Sequence, residues 1–250
     1  MSFLYIYILI SSLLLGSFFN VVGLRVPLKQ SIVKPRSHCP SCGYTLGPFE
    51  LIPVVSYVIQ GGKCRRCKAS ISPLYPFVEL MTGVLFVFAP FAIGWTSELF
   101  IAWTLISLFV IVFVSDVKYM IIPDKVLLVF AVIFLLERIF LPLTPWWDSI
   151  AGAACGFCLL LLIAVISNGG MGGGDIKLFA VIGFALGTKL VLLSFFFATL
   201  FGAVFGLAGR LTGKLEKRKP IPFGPFIGLG TLCAYFYGET IIYWYLNSFI

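Results

Sequence analysis

Histidine occurs once in these 250 residues, at His38, and charged side chains make up only 11% of the chain. With a single imidazole, a Ser-His-Asp or Cys-His catalytic arrangement is hard to assemble. No His-Glu-x-x-His or Gly-x-Ser-x-Gly element occurs either. The scarcity of charge excludes a soluble globular protein: hydrophobic residues reach 60% and mean hydropathy is +1.06, the composition of an all-α polytopic membrane protein. Acidic residues are the rarer sign, ten against eighteen Lys and Arg, for a net charge of +8. Topology and anionic lipid account for that excess, so it does not call for nucleic acid.

Charge-free stretches run from Met1 to Leu24, Leu80 to Ser97, Leu99 to Ser115, Ser149 to Gly174, Leu190 to Gly209 and Pro220 to Gly238. Most approach the roughly 20 residues that a bilayer demands. Two weaker stretches lie between them, Val126 to Pro142 with Glu137 and Arg138, and the short Leu178 to Gly187. The total is about eight spans. Met1 to Leu24 has its positive charge after the apolar run rather than before it, which reads as a retained first helix and not a cleaved signal. That order puts the N-terminus outside. The segments then expected inside hold sixteen Lys and Arg, including Lys214, Lys217, Arg218 and Lys219, against Arg138 and Lys189 outside. Asp116 ends an inward-going span and Asp175 begins an outward-going one, so both carboxylates are expected at the cytoplasmic face.

Residues 25 to 73 interrupt the membrane pattern with a polar insert between the first two spans, too small to bury an adequate core alone. Two Cys-x-x-Cys elements, Cys39 with Cys42 and Cys64 with Cys67, supply the pattern of a four-cysteine structural zinc site. Their predicted cytoplasmic location disfavours disulfides. Gly43, Gly61 and Gly62 suit the tight backbone around thiolates. Four cysteines complete a tetrahedron without His38. Cys155, Cys158 and Cys233 lie in apolar spans and read as small packing residues. The chain thus divides into a first helix (1–24), a zinc-binding insert (25–73) and a helical bundle (74–250).

Two acids stand out at membrane boundaries, where an ionisable residue is a functional-site hypothesis by default. Asp175 follows Gly169-Gly170-Met171-Gly172-Gly173-Gly174 and precedes Lys177. It could cap the following helix, but capping does not need five glycines; they imply a backbone that turns sharply or lets another chain approach. Asp116 stands at a helix C-terminus, which disfavours a negative charge, with Lys118 or Lys125 as possible ion-pair partners. Asp124 reads as an ordinary helix cap. Two carboxylates sharing a site hold one proton between them, so one serves as base toward water and the other as acid. That is aspartyl-protease chemistry.

In these motifs the chain resembles the bacterial type IV prepilin peptidases, a group of Gly-x-Gly-Asp membrane aspartyl proteases. The resemblance spans nearly the whole length. It is carried by Gly16-Ser17-Phe18-Phe19-Asn20 with Arg25 and Pro27, the two cysteine pairs, Gly62-Lys63-Cys64-Arg65 and Tyr75-Pro76-Phe77-Val78-Glu79. The later motifs are Asp116 with Ile122-Pro123-Asp124, Gly172-Gly173-Gly174-Asp175-Ile176-Lys177, and Pro222-Phe223-Gly224-Pro225-Phe226. It implies an inner-membrane enzyme that cuts the short basic leader from type IV prepilins or pseudopilins. Asp116 and Asp175 would be the catalytic pair, with Gly172, Gly174 and Lys177 supporting the second motif. It further implies N-methylation of the new terminus with S-adenosylmethionine, with Gly62 and Glu79 at positions similar to ones implicated in that step. No Gly-x-Gly-x-x-Gly dinucleotide element is present, so the methyl-donor reading rests on the resemblance alone. A presenilin-like protease would place Tyr before its first aspartate, where Ser115 stands. A proton-coupled transporter would be expected to hold both acids near the midplane, and a membrane scaffold would use the insert only to dock a partner.

Overall fold

The computed structural model describes residues 2–213 and 221–249. The basic residues Lys214, Lys217, Arg218 and Lys219, used in the sidedness argument, lie outside the described residues. Among the described residues, eight long helices follow the apolar runs: α1 (Ser2–Arg25), α3 (Leu74–Ile93), α4 (Glu98–Tyr119), α5 (Asp124–Phe140), α6 (Asp148–Ile166), α7 (Gly173–Leu186), α8 (Thr188–Leu211) and α9 (Gly224–Phe249). The short α2 (Val55–Ile59) lies in the polar insert. Among the described residues five helices (α1, α3, α4, α6 and α8) are individually long and apolar enough to cross a membrane. At 14 residues α7 measures about 21 Å, short of the hydrocarbon thickness.

Helix boundaries depart from the apolar runs where a charge is satisfied inside the fold. α3 starts six residues earlier than its charge-free stretch because Glu79 is buried and its Oε2 accepts the Val54 N–H at 2.8 Å. It stops at Gly94, whose φ of +70° leaves helical space. α7 also takes in Asp175 and the exposed Lys177, and α9 runs past the exposed Glu239. Arg138, which interrupts the apolar pattern of α5, folds inward. Its guanidinium pairs with Glu98 at 2.9 Å and donates to the carbonyls of Ala185 and Leu141. Tyr235 Oη donates to Glu98 as well, so α4, α5, α7 and α9 are tied at that end by one half-buried polar cluster around the buried Arg138.

α4 is the most buried of the candidate spans and packs against α1, α3, α5 and α9. Around it, α6 lies along α7 and α8 along α9. Small residues set the spacing: a Cβ at Gly152 or Gly183 would fall on the other residue's backbone, so α6 and α7 touch main chain to main chain. At the end opposite the Arg138 cluster meet the C-termini of α1 and α4 and the N-termini of α3, α7 and α9. Asn20 of α1 donates to the Tyr75 carbonyl, Gly174 packs on Ile122, and Gly224 reaches Asp116. The insert, strung between α1 and α3, therefore shares this end with both aspartates.

Candidate active site and metal centre

α4 closes on Met120, a left-handed C-cap with φ of +54° whose N–H returns to the Asp116 carbonyl at 2.8 Å. Asp116 is thus one turn from the helix end and is 6% exposed. Neither Lys118 nor Lys125 pairs with it. Its Oδ2 accepts the Gly224 N–H at 2.7 Å, so the first residue of α9 supplies the positive helix end that Asp116 lacks from α4. A side chain at 224 could not be accommodated: its Cβ would stand 2.8 Å from that oxygen and 3.0 Å from Val112 Cγ1. Nothing local in the Pro222-Phe223-Gly224-Pro225-Phe226 motif signals this role of Gly224, because the bond joins residues 108 apart in the chain.

Asp175 reaches the same place from another helix. The glycine-rich stretch leaves α6 through Asn168 and Gly169, both in the left-handed region, and enters α7 with Gly172 as N-cap. Asp175 is the third helical residue and not the cap, so it lies in the first turn, where the helix dipole favours a carboxylate. The three glycines before it differ in purpose. Gly174 abuts α5's entry, where an added Cβ would come within 2.9 Å of Ile122 Cβ; a Cβ at Gly172 would stand 3.1 Å from Asp175 Oδ2; a Cβ at Gly173 meets nothing within 4 Å.

Asp116 and Asp175 line one cleft of about 420 Å³, together with Met120, Gly170, Met171, Gly172, Ile221, Pro222 and Phe223. Apart from the two acids the lining is backbone and apolar side chain, the composition of a cleft that desolvates a substrate while offering it two polar groups. Lys177 is not among the lining residues. Its Nζ reaches across to α5 and bonds both oxygens of Asp124, at 2.9 and 2.8 Å. Asp124 is the first residue of α5 after Pro123 as N-cap, so its carboxylate serves that bridge instead of capping.

The insert is built from two equivalent turns. Cys39 N–H donates to Tyr44 O and Gly43 N–H to Cys39 O; Cys64 N–H donates to Ala69 O and Lys68 N–H to Cys64 O. In each, the residue four after the first cysteine is left-handed: Gly43 with φ of +69° and Lys68 with φ of +61°. Gly61 and Gly62 instead turn the chain ahead of the second knuckle. All four sulfurs lie within 4.8 Å of one another, and Cys39 and Cys67 are 3.8 Å apart. A tetrahedral Zn²⁺ with bonds of about 2.3 Å sets sulfurs about 3.8 Å apart, so the donor set fits that ion. The backbone N–H groups of Ser41 and Cys42 pull the Cys39 thiol down to about 6. At Cys42 the Tyr44 N–H acts the same way, but desolvation and the neighbouring sulfurs win and the thiol rises to about 11. His38 stays outside the cluster, its Nδ1 against the Arg36 carbonyl.

Gly62 and Glu79 both contact the α2 segment. Glu79 holds the N–H of Val54, the N-cap of α2, and Tyr57 of α2 packs over Gly62, where a Cβ would stand 2.9 Å from its hydroxyl. As placed, these two residues shape the insert. Nearby, Asn20 Oδ1 is buried without a partner.

Residues 10–93 match the model of the bacterial peptidase A24 N-terminal domain, and residues 103–207 that of the type IV leader peptidase family. The chain is 49% identical to a prepilin leader peptidase/N-methyltransferase of Bacillus subtilis, over 95% of its own length and 96% of the relative's. Relatives of the same name from Pseudomonas aeruginosa and Aeromonas salmonicida are 33% and 31% identical, covering 94% and 96% of this chain and 91% and 92% of theirs. No solved structure matches it. With two aspartates in one cleft, a four-cysteine cluster and near end-to-end similarity to these enzymes, the chain belongs to the type IV leader peptidase family.

Proposed function

We propose that this chain cleaves the basic leader of type IV prepilins or pseudopilins at the cytoplasmic face of the inner membrane, with Asp116 and Asp175 as the catalytic pair. The observation that carries this reading is the meeting of both carboxylates in one cleft, each at a helix N-terminus. Two helix dipoles favour one negative charge in the pair, and mutual repulsion keeps the second site protonated. The ionised carboxylate takes a proton from water as it attacks the scissile carbonyl. The protonated partner hydrogen-bonds the developing oxyanion, and a proton reaches the departing amine as the C–N bond breaks. Products are a leader ending in a carboxylate and a pilin with a new N-terminal amine.

Eight crossings with the N-terminus outside put the cleft and the insert on the side that carries the basic loops. There the anionic membrane surface holds a basic leader while the pilin's apolar helix lies in the bilayer. Zn²⁺ held by Cys39, Cys42, Cys64 and Cys67 is structural, since four thiolates leave no open coordination position. The second activity is methylation of the new amine, for which S-adenosylmethionine supplies one methyl group. Gly62 and Glu79, which both contact the α2 segment, are the residues assigned to that step.

The test is the intact mass of a pilin-like substrate after incubation with the protein in membranes, with and without S-adenosylmethionine. Loss of the leader, plus one methyl group when the donor is present, is expected. An unchanged mass across several pilin-like substrates would overturn the assignment.

A further inference from the structure

The insert exposes more apolar surface than an aqueous module of its size should. Phe49, Leu51 and Ile52, in and after the turn Pro48–Leu51, and Val55, Val58 and Ile59 of α2 all face outward, Phe49 at 84%, Ile59 at 79% and Val58 at 69%. Six large apolar side chains within eleven residues form one patch, the kind that marks an interaction surface. Tyr57, by contrast, turns inward, donating to the Ile71 carbonyl and covering Gly62. α2 thus has a polar side toward the cysteine cluster and an apolar side toward the surroundings.

Two independent features say what covers it. The first is height. Val54 has φ of +61°, an unfavourable conformation for a β-branched residue, and its N–H is bonded to Glu79 of α3. Glu79 is the sixth residue of α3, about 7 Å along that helix from its start. The start of α2 is therefore pinned beside the first turns of a helix that crosses the membrane, level with the outward-facing Tyr75, Phe77 and Leu80. The second is charge. Residues 25 to 73 hold eight Lys and Arg and one acid, Glu50, whose Oε2 is engaged by the Gly47 N–H at 2.8 Å. Lys63, Arg65, Arg66 and Lys68 are all exposed and follow α2 directly.

We propose that residues 48–59 form an interfacial foot that inserts its apolar side into the anionic leaflet beside α3, while the following basic residues contact lipid headgroups. A short helix lying in the interface plane, apolar side down and flanked by cations, is the geometry of monotopic membrane contact. The foot carries the zinc cluster down against the membrane surface and holds it at the end of the bundle where the aspartates lie. This inference depends only on the chain being in a membrane and not on which bond it cleaves.

The test places the photocrosslinking residue p-benzoylphenylalanine at Val58, at Phe49 and, for comparison, at Ser41 on the exposed knuckle, in the full-length protein reconstituted into bilayers. Zinc content of each variant checks that the insert is intact. After irradiation, covalent lipid adducts read by mass are expected to be several-fold more abundant at positions 58 and 49 than at 41, and more abundant with phosphatidylglycerol present than in phosphatidylcholine alone. Lipid adducts no more frequent at 58 and 49 than at 41 would overturn the proposal. So would crosslinks from 58 or 49 to a second copy of the chain or to a pilin substrate in place of lipid.

Discussion

In the insert, two short turns bring four sulfurs together, and every residue that matters lies within 29 positions, from Cys39 to Cys67. In the cleft, the two carboxylates are 59 positions apart and the donor to Asp116 comes from Gly224, 108 positions on. The first site is organised by what its side chains bind, the second by how closely helix backbones approach. A metal contributes on the order of 10 kcal/mol or more to a small module of this kind. The cleft has no such single contributor and depends on glycines that let α5, α7 and α9 close on one point. The two sites share one end of the molecule but should fail separately.

The largest separation is expected from the aspartates. Asp116→Asn or Asp175→Asn keeps side-chain volume, and each should lower leader cleavage by more than about 10³-fold, with zinc content and membrane retention unchanged. Substrate mass and metal analysis on the same preparation read both halves. Normal processing by either variant would dissociate the cleft from the activity. The reverse experiment is Cys64→Ser. Removing one thiolate should release the metal and expose residues 25 to 73 to protease, while cleavage of a saturating substrate falls by no more than about tenfold. Loss of cleavage as complete as in the aspartate variants would show that the insert holds the cleft together.

The same contrast explains what the sequence disclosed. The four-cysteine module was legible because its cysteines sit in two local repeats, and the eight long helices because each follows an apolar run. The meeting of Asp116 and Asp175 followed from helix direction alone. What stayed hidden were bonds made between distant elements. Arg138 interrupts an apolar run, yet it is the buried hub of a polar cluster; Glu79 precedes the apolar run that begins at Leu80, yet it lies inside α3 and fixes the start of α2. Neither Gly224's bond to Asp116 nor Lys177's to Asp124 has any local signature.

A middle-sized effect should distinguish neighbouring glycines within one motif. Gly174→Ala drives a Cβ to within 2.9 Å of Ile122 Cβ, whereas Gly173→Ala enters open space. Overpacking of the first kind costs about 1 to 3 kcal/mol, and here it would push α7 from α5 and carry Asp175 with it, reducing cleavage by about ten- to a hundredfold. Gly173→Ala should leave cleavage unchanged and stabilise α7 slightly, since alanine is the better helix former. Equal effects at both positions would mean that the glycines serve flexibility and not close approach. Thermal unfolding in detergent, run beside the cleavage assay, tells a displaced helix from a misfolded protein.

The smallest effect is expected at Lys177, which sequence alone attached to the catalytic motif. Its ammonium lies on Asp124, both side chains more than half exposed at 54% and 67%, and neither residue lines the cleft that holds the carboxylates. Exposed pairs of this kind contribute about 0.2 to 1 kcal/mol and are screened by salt. Lys177→Met should therefore change cleavage by less than about fivefold, Asp124→Asn should do the same, and the double variant should match either single one. Raising ionic strength should shrink the difference from the parent protein. A loss at Lys177 as large as at Asp175, with Asp124→Asn nearly silent, would instead mean that the lysine leaves its bridge and enters the cleft when substrate binds, making it part of the chemistry and not of the α5–α7 contact.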